Sequence, residues 1–504
     1  MQEPAPIRIV PGSLNLQQLR TIMARPQRVV LKSDCWPAVE AAAQLVAEVA
    51  AGDAPVYGIN TGFGKLASVR IPADQIEELQ RRLIFSHMCG YGAALSEPIV
   101  RLTLLLKAAS LARGHSGVRR GTIELLVSLL QSDALPIIPA KGSVGASGDL
   151  APLAHLAGCL IGEGEIKLRG ATMPAGDALR AIDAKPLTLG PKEGLALING
   201  TQVSTALALA ALFAARAVFD AALIAGAMSV DAALGSDGPF DPRLVAVRAQ
   251  PGQAEVAARL TKLLAGSAIR ASHREEDDRV QDPYSLRCQP QVMGPCLELL
   301  DLAEATLGRE VNGVSDNPIV FPDDGTLISG GSFHGQSIAF AADQLALALA
   351  EIGSMCERRI ALLNDTHLSG LPAFLTPAPG LNSGFMLAHI TAAALASENQ
   401  HLAHPVSVDS RPTSANQEDH ASMATYAARR LLEMTNNAAA VVAIELLAAA
   451  QGIELRRPLQ TSPALQAMIA KIRRHSDFLQ DDRPLHRDIG TLADAVLQGD
   501  FAAQ

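Results

Sequence analysis

Three stretches of this chain run for many residues without a glycine or proline: Thr201 to Ala225, Gln336 to Ile352 and Glu418 to Gln451. All are rich in Ala and Leu and sparse in charge. At about 1.5 Å of rise per residue the longest predicts a helix of 40–50 Å. Such helices are apolar nearly all round, so they must be covered on most faces. A bundle of long helices, completed by other subunits, meets that demand best.

Composition agrees with this reading. Hydrophobic residues make up 48% of the 504, but aromatics only 3%, so the core must be built from Ala, Leu, Val and Ile. Ala and Leu favour helices, whereas strands prefer β-branched and aromatic residues. The fold class expected is mainly α. Roughly the first 199 residues differ in texture, with short helical stretches (Leu16–Ala24, Ala38–Ala50, Ala73–Phe85, Ile99–Ala112, Ile123–Leu130) between Gly-rich and Pro-containing turns. The chain is therefore read as an N-terminal domain over 1–199 and a long-helix region over 200–504.

A net charge of −9 spread thinly along the chain argues against a nucleic-acid partner, which calls for a concentrated basic face. The acidic run Glu275-Glu276-Asp277-Asp278 reads as a solvated turn. Six cysteines (Cys35, Cys89, Cys159, Cys288, Cys296, Cys356) without a CxxC pair read as free thiols in a reducing compartment. The first residues lack the basic-then-apolar layout of a signal peptide. Apolar runs such as Val203 to Ala215 are soon interrupted by Arg216 and Asp220, so no membrane span is expected. A cytoplasmic location follows as an expectation.

The segment Gly145-Ala146-Ser147-Gly148-Asp149 carries the most distinctive chemistry. In a tight bend the Gly148 amide nitrogen can reach the Ala146 carbonyl carbon, and only glycine tolerates the crowding and backbone angles required. Closing that bond gives a five-membered ring. Loss of one water from the ring and a second with the Ser147 hydroxyl leaves a methylene conjugated to an imidazolone, an electrophile that ordinary side chains do not provide. Asp149 and Pro152 then open a helix that runs to Ile161 and stops at Gly162. Phosphate-binding GxxxxGK[ST] and GxGxxG patterns are absent, and Ser147 does not stand in a GxSxG elbow. His401 and His404 find no third ligand of convincing spacing, so no metal is expected.

The block GSVGASGDLAPLAHLA at Gly142 resembles the signature of the histidine and phenylalanine ammonia-lyase family, whose prosthetic group is 4-methylidene-imidazol-5-one (MIO). Further blocks match in order: YGINTGFG at Tyr57, EGLALINGTQ at Glu193, QDPYSLRCQPQVMG at Gln281, VSDNPIVF at Val314 and PTSANQEDHASM at Pro412. The resemblance covers almost the whole chain. It implies a fumarase/aspartase-like helical bundle, an MIO made from Ala146, Ser147 and Gly148, and a homotetramer whose active sites draw on several subunits.

The same resemblance assigns roles. Tyr57 matches the catalytic base, a task that asks for a lowered phenol pKa. Arg287 matches the clamp on the substrate carboxylate. Tyr284, Asn199 and Gln281 match residues around the ring and the amine, with Asn199 a donor to the ring oxygen. Phe333 matches the aromatic that packs beside the prosthetic group. His87 and Glu418 match the pair that faces an imidazole in histidine-specific members, which implies elimination of ammonia from L-histidine to give urocanate. On its own, His87 reads equally well as a satisfied histidine near a helix end, so Glu418 is the better discriminator. Ser414-x-x-Gln417 has the form of a capping box and places Glu418 in the first turn of the last long helix, where burial would raise its pKa. Met88 and Cys89 stand where small residues are usual, Ser332 and Gln336 replace the family's Asn and Glu, and Arg411 replaces an apolar residue. These departures leave open a lyase or aminomutase acting on tyrosine, phenylalanine or a modified histidine.

Overall fold

A computed structural model describes residues 5–275 and 279–502. Most of the expected acidic turn, Glu276 to Asp278, lies outside the described residues. The protein is mainly α, with twenty α-helices among the described residues. It forms two compact units, each assembled from three stretches of chain. The first comprises Met1–Ala210, Glu304–Ala342 and Pro405–Arg429; the second comprises Ala211–Ala303, Asp343–His404 and Arg430–Gln504. The sequence-based division near residue 200 is continuous along the chain, whereas these units interleave.

The short helices fall where periodicity predicts them, including Leu16–Ala24, Trp36–Ala51, Glu97–Leu111 and Arg120–Gln131. All strands among the described residues belong to the first unit, and they are short. Ile7–Ile9 pairs in parallel with Val29–Leu31, and Tyr91–Ala94 lies antiparallel to Pro139–Lys141. Glu165–Leu168 is flanked by Leu135–Pro136 and Ala171–Pro174, and Ile319–Phe321 pairs with Thr326–Ile328. These ladders act as clasps on the loops between helices.

The three long runs are helices over Gln202–Ala232, Gln336–Asn364 and Ala424–Leu455. All three extend past their expected C-terminal ends because Gly226, Gly353 and Gly452 do not break them. Gly226 and Gly452 sit where neighbours leave no room for a side chain, whereas nothing lies within 4 Å of a Cβ built on Gly353. A Cβ on Gly226 would lie 2.0 Å from Gln289 Oε1, and one on Gly452 would lie 3.0 Å from Ala232 Cβ. At Gly226 and Gly452 close approach outweighs the roughly 1 kcal/mol propensity penalty of a mid-helix glycine.

Within the second unit one buried polar cluster ties these three helices together. Arg359 Nε and Nη2 donate to the Glu445 carboxylate at 2.5 and 2.9 Å, and Ser229 Oγ donates to Glu445 Oε1 at 2.7 Å. Both charged partners are fully buried.

The expectation that no segment could cross a bilayer does not hold on length and composition. All three long helices are long and apolar enough; in the first, Arg216 and Asp220 are the interrupting charges within 31 residues. Those charges are paired in the second unit, Arg216 with Asp301 and Asp220 with Arg259. Between 67% and 83% of each apolar window is buried inside the fold.

Candidate active site

The Gly142–Asp149 loop joins strand Pro139–Lys141 to helix Leu150–Leu160, which starts directly after Asp149 as the sequence predicts. Gly148 has φ +76°, and a Cβ there would lie 2.3 Å from Gly200 O. Only glycine fits this left-handed, crowded position. Asp149 N donates to Gly200 O at 2.7 Å, which fixes one side of the bend. On the other side Met423 N donates to Val144 O at 2.8 Å and Ser422 Oγ to Gly145 O at 2.9 Å.

The Asp149 side chain does not cap its helix. Its buried carboxylate accepts from Ser204 N, Ser204 Oγ and Thr425 Oγ1 at 2.7, 2.9 and 2.6 Å. Burial pushes its pKa above the usual carboxylate value even against those hydrogen bonds.

Ser147 opens onto a cavity of about 620 Å³ lined, among others, by Tyr57, His87, Asn199, Phe333 and Glu418. All of these residues belong to the first unit. Six of the eleven site residues expected from sequence therefore converge, with Ala146 and Gly148 on either side of Ser147. Asn199 follows helix Glu193–Ile198, and its Nδ2 donates to the Ser147 carbonyl at 2.9 Å. That is the ring oxygen expected after cyclisation. The geometry fits the group: the glycine is side-chain-free by necessity, the carbonyl already has a donor, and the adjoining Asn199 Oδ1 is buried without a hydrogen bond.

Tyr57 sits in a turn that its neighbours build. Asn60 Oδ1 accepts from Val56 N at 2.8 Å, Asn60 Nδ2 donates to Ala54 O at 3.0 Å, and Ile59 anchors the turn in an apolar cluster with Val46 and Ile76. The ring packs edge-on against Phe63, with centroids 6.5 Å apart. Gly64 N donates to Tyr57 Oη at 3.4 Å. The expected lowering of the phenol pKa is not found within this chain. Burial and the Glu418 carboxylate push it up, and the Gly64 amide only partly opposes them.

Glu418 is not in the first turn of the last long helix, which begins six residues later at Ala424. Ser414, Ala415 and Asn416 take positive φ angles of 51°, 52° and 65°, so the supposed capping box folds as a tight turn. Glu418 then pairs back on Thr413 through main-chain hydrogen bonds. Its carboxylate accepts from Ser147 Oγ, Thr413 Oγ1 and Ser414 Oγ at 2.5, 2.7 and 2.8 Å. Burial raises its pKa, but these donors and the nearby His87 outweigh burial, and the net direction is down. The expected rise is thereby corrected: the group is a bound carboxylate.

His87 ends helix Ile76–His87. Its Nδ1 lies 2.8 Å from Leu83 O, which assigns the proton to Nδ1 and leaves Nε2 for a ligand.

Gln281, Tyr284 and Arg287 belong to the second unit and are not among the residues that line this cavity. The Arg287 guanidinium lies 4.5 Å over the Tyr284 ring and its Nε donates to Asp282 O at 2.9 Å. Tyr284 is 70% exposed.

Nor do the unusual residues around the motifs line it. Met88 packs over helix Leu150–Leu160, where a Cβ on Gly158 would lie 2.5 Å from its sulfur. Arg411 is exposed and pairs with Asp409 at 2.8 Å. Gln336 Nε2 donates to Ser407 O at 3.2 Å. Sequence reasoning missed Thr413, which holds Glu418, and Lys107, which lies under Asn199. A lysine inside the apolar run Leu102–Leu111 was the visible signal for the second.

Residues 14–474 match the family model for aromatic amino acid lyases. The chain belongs to the aromatic amino acid lyase family. A histidine ammonia-lyase of Aromatoleum aromaticum is 58% identical to this lyase over 492 residues, 98% of this chain and 93% of the relative. Among solved structures, histidine ammonia-lyase from Trypanosoma cruzi superposes with a TM-score of 0.91 at 39% identity, covering 98% of this chain and 94% of that one. Tyrosine aminomutase from Streptomyces globisporus superposes with a TM-score of 0.93 at 33% identity, covering 99% and 98%. The lyase therefore shares its backbone with proteins named for two different outcomes, and the side chains in the cavity must distinguish them. It is a carbon–nitrogen lyase of an MIO-dependent family.

Proposed function

We propose that this lyase eliminates ammonia from L-histidine to give urocanate, with an MIO formed from its own Ala146, Ser147 and Gly148. The observation that carries the reading is the meeting of Glu418 and His87 at the cavity into which Ser147 opens, with Asn199 on the Ser147 oxygen. Two of the Glu418 donors, Thr413 and Ser414, keep the carboxylate ionised and oriented. Its third, the Ser147 hydroxyl, departs as water when the ring forms. That frees Oε1 to accept an imidazole N–H, while His87 Nε2 faces the same ring.

When closed, the ring supplies an electrophilic methylene that turns the substrate amine into a better leaving group. The Tyr57 oxygen takes the β-proton. The electron pair of that C–H bond becomes the Cα–Cβ double bond as the C–N pair leaves with nitrogen, so histidine gives urocanate and ammonia. Phe333 excludes water beside the ring, and the Asn199 amide holds the Ser147 oxygen as charge grows there.

Gln281, Tyr284 and Arg287 complete the site from neighbouring subunits of a homotetramer. This assignment is supported by their place in matched sequence blocks and by the exposure of Tyr284. Arg287 would then clamp the substrate carboxylate. Six free cysteines support a reducing, cytoplasmic setting.

Incubating the purified protein separately with L-histidine, L-tyrosine and L-phenylalanine tests the proposal. The expected result is urocanate absorbance with one ammonia per product from histidine alone. Coumarate or cinnamate as the dominant product, or a β-amino acid on chiral analysis, would overturn the substrate assignment.

A further inference from the structure

Helix Glu97–Leu111 is buried along nearly its whole length, and Lys107 sits in the middle of it at 1% exposure. Its neighbours Leu104, Leu105, Leu106, Ala108 and Ala109 are buried too, so an apolar side chain would suit the position on packing grounds. Burying an ammonium is costly unless good partners receive it. Here the partners are specific. Lys107 Nζ donates to Asn199 O at 2.7 Å and to Ala196 O at 3.0 Å. Both carbonyls lie at the C-terminal end of helix Glu193–Ile198, where carbonyls lose their intrahelical donors and a cation is favoured.

The next link is Asn199 itself. Its main-chain nitrogen is tied to Leu195 O at 2.8 Å, its main-chain oxygen to Lys107, and its side chain to Ser147 O. An amide reaching from a helix terminus to a ring oxygen keeps its aim only if the peptide that carries it cannot rotate. A second buried lysine braces the other end of the same short helix: Lys192 donates to Asp316 Oδ2 at 2.6 Å and to Ser116 O at 3.1 Å. Burial pulls the Lys107 pKa down to about 7, with Asp316 and Asp149 opposing and Lys192 adding to the fall. The amine retains N–H donors in either charge state.

We propose that Lys107 is the positioning residue that aims the Asn199 amide at the Ser147 oxygen, and so sets the strength of the electrophile without touching substrate. The proposal rests on the ammonia-lyase reading above. It assigns a mechanistic task to a buried lysine that lies outside the cavity.

The test is a double-mutant cycle on the full-length enzyme, with Lys107→Met, Lys107→Gln and Asn199→Ala made singly and Lys107→Met combined with Asn199→Ala. Lys107→Met is expected to lower kcat for histidine by roughly 10–100-fold, as loss of a supporting partner behind a reacting group typically does, with KM little changed. Lys107→Gln keeps an N–H donor and should recover part of that loss. In the Asn199→Ala background Lys107→Met should cost almost nothing further, because the residue it aims is gone. Equal losses in both backgrounds, or a change confined to KM, would overturn the role. Should Lys107→Met fail to fold, the same cycle with Lys107→Gln decides the matter. A wild-type protein with neither turnover nor a mass deficit of two waters would overturn the ammonia-lyase reading, and the Lys107 role with it. A fully active wild type with additive losses overturns only the latter.

Discussion

The Asn199 side-chain nitrogen and the Ser147 carbonyl oxygen lie 2.9 Å apart, a hydrogen bond between the end of one short helix and the middle of a glycine-rich bend. The same oxygen would become the ring oxygen on cyclisation, so the donor is in place before the electrophile exists. Replacing Asn199 by Ala should lower kcat by about 10²–10³-fold, the usual effect of losing one preorganised donor at a site of developing charge. Steady-state kinetics with L-histidine checks this. An Asn199→Ala enzyme with unchanged kcat would remove the amide from the mechanism.

Tyr57→Phe should cut turnover by about 10²–10⁴-fold, the range expected for loss of a positioned general base. Ring formation needs no phenol in this account, so the variant's mass should still fall two waters below its coded mass. An active Tyr57→Phe enzyme would transfer the role of base to another group.

The pH dependence follows from the direction of the Tyr57 shift. Burial and the Glu418 carboxylate raise its pKa, so the base form is scarce at neutral pH and grows as pH rises. kcat/KM should accordingly climb toward alkaline pH. Glu418→Gln removes the neighbouring negative charge, which lowers the phenol pKa and should move that limb to lower pH. The same variant loses the acceptor for the imidazole, so histidine turnover falls overall. A limb that stays put in pH profiles of the two enzymes would separate Glu418 from the base.

The Arg359–Glu445 pair, with Ser229, is fully buried among the three long helices. Glu445→Ala strands a buried guanidinium and should destabilise the protein by about 3–5 kcal/mol. The Arg359→Met, Glu445→Leu double variant should be far less damaging, because it removes both charges together. Thermal or urea unfolding of the three proteins compares them. A double variant as unstable as Glu445→Ala would show that packing, not the stranded charge, sets the cost.

The helices were legible because their signals are local. Gly- and Pro-free runs of Ala and Leu strongly favour helix, and short amphipathic stretches lay within a few residues of their predicted ends. Gly226 and Gly452 misled at helix ends because their neighbours come from distant parts of the chain. The tight bend at Ala146-Ser147-Gly148, which only glycine at its end allows, was legible from bond-forming geometry together with its flanking blocks. Glu418 lines the cavity but was wrongly placed on the last long helix: Ser414 to Asn416 satisfy a capping pattern in sequence yet adopt left-handed backbone angles that no local rule foretold. The Tyr57 and Glu418 pKa directions depended on who faces whom across the cavity. Lys107 was visible as an anomaly in an apolar helix, but its partners Asn199 and Ala196 are some ninety residues away.

The most direct test of the central claim is the intact mass of the purified wild-type chain beside that of Ser147→Ala. The account predicts a wild-type mass lower than the coded sequence by two waters, and no such two-water deficit in the variant, which lacks the departing hydroxyl. A wild-type mass equal to the coded sequence would contradict it, since the loop between Ala146 and Gly148 would then be an ordinary peptide with no electrophile to offer.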